Sequence, residues 1–242
     1  MESSKTMKQL FEHTFNSEDG SYKLYFTEYF HKAYNYPFVM NEIYNYRQMK
    51  NYMKRFDKSS IFVDIGANSG LSAVPIACLG YKVIAFEPVD VNCEALKKAC
   101  ETNNVSIDVR QCALSNRNEI SKICVPYAED NTSLNEAVAV SNLQNKDFSM
   151  QDVELCTFDS CVNIADFEKI KFVKIDVQGF EYPVLLGMNS FLEQTKNCSI
   201  LIEWDDKHTS SAGFSLNDIH NFLTSKGFTQ QSWDQGDRLY AK

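Results

Sequence analysis

The sequence is short of positive charge. Lys and Arg number 24 against 32 Asp and Glu, giving a net charge of −8 at pH 7 and a pI near 5.1. That argues against a nucleic-acid backbone as the main partner, because phosphate binding needs clustered Lys and Arg. No run is long and apolar enough to cross a bilayer, and the first residues, MESSKTMKQLFEH, lack the apolar core of a secretory signal. A cytoplasmic setting with no membrane partner is the expectation. None of the eight cysteines forms a CxxC pair. Without a secretory signal they read as free thiols, with Cys78, Cys93, Cys100, Cys112 and Cys198 in predicted core helices or strands. His13, His31, His208 and His220 are scattered, so no zinc spacing appears. There is no internal repeat and no low-complexity tract.

What is present is organised around Ile61 to Gly70, IFVDIGANSG. Three apolar residues run into Asp64, a glycine turn follows, and an apolar stretch resumes to Gly80. This predicts a buried parallel strand, a glycine loop and a helix. Gly66 lets the backbone bend sharply, and Gly70 lets it pass close to a ligand without a Cβ in the way. Asn68 stands where dinucleotide folds place another glycine, and Asn tolerates left-handed backbone. The next strand, KVIAFEP, ends in Glu87 about 20 residues after the loop, where an acid can bind ribose hydroxyls. Loop and acid together imply a nucleoside-containing cofactor.

The 242 residues, 44% hydrophobic and 23% charged, suit one α/β domain with a short appendage. Residues 1–58 carry eight of the twelve tyrosines: Tyr22, Tyr25, Tyr29, Tyr34, Tyr36, Tyr44, Tyr46 and Tyr52. This extension reads as a packing collar over one sheet edge, or as a lid whose rings stack on a flat or sugar-like substrate. Met40 to Arg55 has helical spacing, and Phe11 to Phe38 suits a hairpin or short helices. Residues 59–242 form the main domain. Val89 to Thr102 reads as a helix and Val105 to Leu114 as a strand. Residues 115–158 break the rhythm and read as a hairpin insertion, tipped at Asn131-Thr132-Ser133, over the carboxyl ends of the strands.

Lys171 to Asp176 resumes as a strand, Gly179 to Gln194 as a helix with Pro183 in its first turns, and Ser199 to Trp204 as a strand. Leu216 to Lys226 reads as a helix. Phe228 to Trp233 and Arg238 to Lys242 read as a closing hairpin across Asp234-Gln235-Gly236-Asp237. A parallel sheet ending in an antiparallel hairpin separates the methyltransferase variant of the nucleotide-binding fold from the dehydrogenase one. Asp64, Glu87, Asp176 and Glu203 all sit at strand ends, with Asp205 and Asp206 close behind. Each of the four could simply cap a helix. Together they form an acidic rim that suits the sulfonium and ammonium of S-adenosylmethionine better than a diphosphate.

VDIGANSG, AFEP, CALS, KIDVQGFEYPVLLG and ILIEWD resemble the FkbM-type S-adenosylmethionine-dependent methyltransferases, over roughly Val39 to Trp204. Lys174 to Glu181 is the most specific block, and Thr157-Phe158-Asp159 resembles the segment preceding it. Gln178 departs from it by standing where the family usually has Glu, a loss of one charge; Asp176, Gly179 and Glu181 match. The resemblance implies a Rossmann-like class I methyltransferase fold with a mostly parallel seven-stranded sheet and a C-terminal antiparallel hairpin. It implies that Asp64, Gly66, Ala67, Asn68 and Gly70 surround the methionine moiety of S-adenosyl-L-methionine, and that Glu87 holds the ribose. Pro88, Cys112 and Ala113 would shape the adenine pocket, and Asp176 would lie nearest the sulfonium or the amino group. Asp108 is an alternative partner for the adenine amine.

The expected reaction is in-line methyl transfer to a hydroxyl of a sugar, glycan or small natural product. Asp176, Glu181, Glu203 and His208 are the candidate bases, His208 following the fifth strand in a polar loop (DDKHTSS), and Lys174 could steer the acceptor. A Mg²⁺ site from Asp176, Asp205 and Asp206 is a second mechanism; the metal-free one is preferred. Two other functions stay open. One is an NAD-dependent oxidoreductase, against which the missing complete GxGxxG counts; the other is a non-catalytic interaction module, which Gln178 keeps open.

Overall fold

The computed structural model describes residues 9–27, 37–126, 148–233 and 236–242. Among them the chain builds β1 Phe11–Ser17, β2 Gly20–Phe26, α1 Pro37–Met53, β3 Ile61–Ile65, α2 Ala73–Cys78, β4 Lys82–Phe86 and α3 Asp90–Asn103. Next come β5 Asp108–Arg110, β6 Ala113–Leu114, β7 Glu119–Pro126, β8 Phe148–Cys156, α4 Phe158–Cys161 and β9 Ile170–Ile175. The chain ends with α5 Glu181–Leu186, α6 Asn189–Gln194, β10 Ser199–Ile202, α7 Asp206–Ser211, α8 Leu216–Ser225, β11 Thr229–Gln231 and β12 Arg238–Ala241. No helix among the described residues is long and apolar enough to cross a membrane.

Seven strands form the main sheet in the order β11-β12-β10-β9-β3-β4-β5. Strands β10, β9, β3, β4 and β5 are parallel, and β12 runs antiparallel between β10 and β11. This is the Rossmann-like class I methyltransferase fold, with the C-terminal antiparallel pairing the sequence predicts. Both faces are covered, so the central strands are mostly apolar: β3 and β10 are buried at every position, Asp64 and Ser199 included. Phe62 and Phe172 stack toward one face, under α1 to α3 and the N-terminal hairpin. Ile61, Val63, Ile65, Ile175 and Ile202 fill the other, under α4, α5, α6 and α8.

The N-terminal strands form the antiparallel hairpin expected, and their described tyrosines are packing groups. Tyr22, Tyr25 and Tyr46 are buried in the first of these two clusters, and Tyr52 is packed against it. Asn103 fastens the hairpin to α3, accepting the Lys23 N–H at 2.8 Å and donating to its carbonyl at 2.6 Å. Buried Lys50 ties α1 to the hairpin turn through ion pairs with Glu18 and, at 2.6 Å, Asp19. Tyr29, Tyr34 and Tyr36 lie outside the described residues, as do the insertion tip at Asn131-Thr132-Ser133 and the turn residues Asp234 and Gln235.

Four expectations need correction. The strand predicted over 105–114 is two: β5 ends the main sheet, the chain bends at Gln111–Cys112, and β6 pairs with β8 in a separate three-stranded sheet. The helix predicted over 179–194 is broken at Gly187, where the Ser115 carbonyl oxygen packs so close that a Cβ would stand 2.0 Å from it. Asp159 then accepts the Ser190 and Phe191 N–H groups and starts a new helix. The polar run after β10 is not a loop but carries α7, Asp206–Ser211, with the Asp205 side chain accepting the His208 N–H at its N-cap. Cys78 is exposed at the end of α2 rather than in the core.

Candidate functional site

Strand order reverses between β3 and β9, since the chain moves outward through β4 and β5 and later returns through β9 and β10. Open α/β sheets bind ligands in the crevice at such a switch point, at the carboxyl ends of the strands. A cleft of about 900 Å³, open solvent at its mouth included, lies here. Its floor is the loop after β3 (Gly66, Ala67, Asn68) together with Lys174, Asp176 and Gln178. Glu87 and Pro88 after β4 form one wall, and Cys112, Ala113, Leu114 and Ile123 form an apolar slot. The slot places the 115–158 insertion at the cleft, through Ile123 of β7.

The glycine loop is stitched to its neighbours by main-chain bonds. The N–H groups of Gly66 and Ala67 both donate to the Phe86 carbonyl at 3.0 Å, and Asn68 adopts φ 49°, the left-handed geometry expected of it. Gly66, at φ 82°, faces the Asp176 carbonyl so closely that a Cβ would lie 1.9 Å from its oxygen. Gly70 serves a different purpose from the predicted ligand approach. A Cβ there would meet Leu96 Cδ1 at 2.5 Å and Val74 Cγ2 at 2.8 Å, so the residue makes room for α3. Neither Gly70 nor Asp64 lines the cleft.

Glu87 is 4% exposed and its carboxylate organises the cleft wall. One oxygen accepts the Asn68 N–H at 2.8 Å; the other accepts the Val89 N–H at 2.9 Å and the Asn92 amide at 3.2 Å. Burial pushes its pKa above the ordinary value against these three bonds. Both expectations for Glu87, a ribose partner and a helix cap, are joined by a third role: through Val89 and Asn92 it bonds the start of α3, and through the Asn68 N–H it shapes the glycine loop. Asp108, the alternative adenine partner, is exposed at the outer strand and paired with Arg110 at 2.6 Å.

Four residues at the carboxyl ends of β9 and β10, Lys174, Asp176, Gln178 and Glu203, form one polar network. Lys174, 6% exposed, donates to Asp176 Oδ2 at 3.0 Å. The Gln178 amide donates to Asp176 Oδ1 at 2.9 Å and to Glu203 Oε1 at 3.0 Å. Burial works against the Asp176 charge, but the Lys174 ammonium and the Gln178 amide outweigh it and hold that carboxyl below its ordinary pKa. For Glu203 the balance is reversed: burial first, then the neighbouring Asp176 and Glu181 charges, outweigh the pull of Lys174 and push it well above the usual range. Gln178 is the residue sequence reasoning undervalued. Its departure from the family's Glu marks a place where a neutral donor joins two carboxylates; a third carboxylate there would repel both.

Of the five catalytic candidates, Lys174 and Asp176 line the cleft; Glu181, Glu203 and His208 do not. The Glu181 carboxylate lies under the loop and accepts the Val177 and Gly179 N–H groups at 3.0 and 3.1 Å. His208 stands in α7 with Nδ1 4.0 Å from Asp205 Oδ2, and its carbonyl packs where a Gly179 Cβ would be. The Mg²⁺ alternative is not assembled. Asp205 caps α7, and the only group of metal-ligating side chains gathered among the described residues is a trio of cysteines.

Burial raises the Glu181 pKa to about 7 from 4.5. The folded chain therefore binds this proton more tightly than the unfolded one, and the stability the group contributes is lost as pH rises from the unfolded value through 7. Glu181→Gln keeps an oxygen for both N–H groups and removes the charge. Its stability relative to the parent should rise by up to about 3 kcal/mol between pH 5 and pH 8. Urea unfolding at the two pH values measures this; an unchanged difference would show that Glu181 is comfortably ionised.

Residues 64–229 match the family model described as the methyltransferase FkbM domain. No curated protein matches the chain. Among solved structures, the T. thermophilus 16S rRNA N2 G1207 methyltransferase, in complex with AdoMet and guanosine, is similar over 96% of this chain at 11% identity and a TM-score of 0.52. The chain spans 50% of that structure's length. Magnesium protoporphyrin IX methyltransferase from Synechocystis PCC 6803, with bound SAM, is similar over 85% of this chain and 83% of its own, at 12% identity and a TM-score of 0.46. At these identities the likeness is one of fold.

Proposed function

The chain belongs to the FkbM family of S-adenosylmethionine-dependent methyltransferases, and from that premise we propose that it methylates a hydroxyl of a sugar, glycan or small natural product. The residues present fit the cofactor. The glycine loop and Asp176 offer main-chain groups and a carboxylate for its amino-acid end, Glu87 an acid for the ribose, and Pro88, Cys112 and Ala113 an apolar slot for the base. When bound, S-adenosylmethionine supplies a methyl group already activated on a sulfonium.

The observation that carries the reading is the Asp176 carboxylate, held ionised by Lys174 and Gln178 on the cleft floor. A hydroxyl must lose its proton as its oxygen gains a methyl group, and Asp176 is the one candidate base that lines the cleft. Lys174 keeps that carboxylate charged, and Gln178 fixes its direction. Glu181 and Glu203 support the loop from behind.

The acceptor is a neutral hydroxyl compound rather than a polyphosphate. Lys174 is the only cation among the described cleft-lining residues, and it is already paired with Asp176. With a net charge of −8, the chain has little to offer an RNA backbone, whatever the acceptor of its structural neighbour.

Incubation with methyl-labelled S-adenosylmethionine and three acceptor pools tests this: sugars and small phenolic or alcoholic natural products, total RNA, and protein. Label should enter the first pool as base-stable methyl ethers. Label confined to RNA, or carried on nitrogen, would overturn the hydroxyl assignment.

A further inference from the structure

We propose that Cys112, Cys156 and Cys161 form a binding site for a thiophilic closed-shell cation, Cu(I) or Zn(II), beside the cofactor cleft. The three sulfurs come from three separate elements: the bend after β5, the last residue of β8 and the last residue of α4. All lie within 4.8 Å of one another. Sulfurs each about 2.3 Å from a shared ion stand roughly 3.7–4.0 Å apart, so only small side-chain rotations separate this trio from a ligand set. One buried cysteine is ordinary packing. Three thiols from separate elements, converging on one point, are a donor set that packing alone does not require.

The backbone around the trio is held in place. The Cys112 N–H donates to the Arg110 carbonyl at 3.0 Å, and the Arg110 guanidinium donates to the Cys161 carbonyl at 2.5 Å. Leu114 pairs with Cys156 across the β6–β8 ladder. Thr157 caps α4, accepting the Ser160 N–H on its side chain and the Cys161 N–H at 3.2 Å on its carbonyl. Cys112 and Cys156 are buried, whereas Cys161 is half-buried and gives an ion a way in. Three thiolates satisfy Cu(I); for Zn(II), water or the Ser160 hydroxyl, 4.0 Å from Cys161 Sγ, completes a tetrahedron. Three S–H bonds break, three S–metal bonds form, and the protons pass to solvent. Arg110 offsets part of the remaining negative charge. Since Cys112 also lines the cleft, a filled site would stiffen the wall beside the adenine slot.

The full chain, reduced, stripped with a chelator and kept under nitrogen, should be titrated with Zn(II) and separately with Cu(I) against chromophoric competitors. Retention of one ion per chain, micromolar or tighter, with ultraviolet sulfur-to-metal bands in a Cd(II)-loaded sample, is expected. Either metal alone satisfies the proposal. Cys161→Ser and Cys156→Ser should each weaken binding by at least about 100-fold, while Cys78→Ser leaves it unchanged. Thermal melting checks that each variant is folded, and a variant that fails to fold is replaced by blocking Cys161 with a small thiol reagent. The proposal falls if the reduced parent retains no ion, or if binding survives both Cys161→Ser and thiol blockade. It falls equally if mass spectrometry finds two of the three joined as a disulfide whose reduced form takes up no metal.

Discussion

Gly66→Ala should destroy cofactor binding and lower stability by about 3–5 kcal/mol. Two effects add. The residue sits at φ 82°, where a side chain is strained, and its new Cβ would stand 1.9 Å from the Asp176 carbonyl oxygen and 2.9 Å from the carbonyl carbon. That oxygen cannot swing away cheaply, because the Asp176 N–H donates to Ile65 at 3.0 Å and fastens the end of β9 to β3. Relief requires the two strand ends to part, and the cleft floor lies on both. Gly80→Ala isolates the first effect, since Gly80 has φ 86° and nothing within 4 Å of its absent Cβ. It should cost only about 1–2 kcal/mol and leave the site intact. Urea unfolding and calorimetry with S-adenosylhomocysteine compare the two. Equal losses in both variants would mean that the approach of β3 to β9 carries no weight.

The same close approach explains how much could be read from the sequence. A glycine after three apolar residues announces a strand that turns, and periodicity placed β3, β4, β9 and β10 within a residue or two. Acids at strand ends were therefore legible as a rim, and the tail of the chain as an antiparallel addition. Direction was not legible. Glu181 and Asp176 both follow β9, yet one carboxylate faces buried N–H groups and the other the cleft, a difference set by the left-handed turn at Gln178 (φ 54°).

Breaks caused by distant partners were equally hidden. PVLLGMNSFL keeps its apolar spacing through Gly187, and the partner that marks the break is remote in sequence: Asp159 donates its N–H to the Gly187 carbonyl and accepts the Ser190 and Phe191 N–H groups at the start of the next helix. DVRQCAL alternates like one strand, but its last two residues pair with Leu155 and Cys156 instead of β4. The sulfur trio follows from that bend: Cys112 meets Cys156 and Cys161 because the chain leaves the main sheet beside it.

Lys174→Met should damage the polar network of the cleft floor. It removes the nearest cation and leaves Asp176 with the Gln178 amide and the weaker pull of His208, among Glu181 and Glu203. Losing one partner of a fully buried pair costs about 3–5 kcal/mol; the Asp176 side chain is 26% exposed, so water offsets part of this and about 2–3 kcal/mol is expected. The pH dependence carries the sharper test. In the parent, the depressed Asp176 pKa adds stability that is present above the unfolded carboxyl value and is lost as pH falls through the folded one. With Lys174 gone, burial dominates and the folded pKa rises, which reverses the sign: the variant loses stability as pH rises toward neutrality. Its deficit against the parent should therefore widen from pH 5 to pH 8. Affinity for S-adenosylhomocysteine, whose amino group is cationic, should fall at least about tenfold at pH 6 and recover in part as pH rises and Asp176 ionises. A loss of affinity that is flat with pH would place the role of Lys174 in shape alone. A partial recovery with pH ties donor binding to the charge on this one carboxylate, and makes Lys174 the residue that keeps it charged.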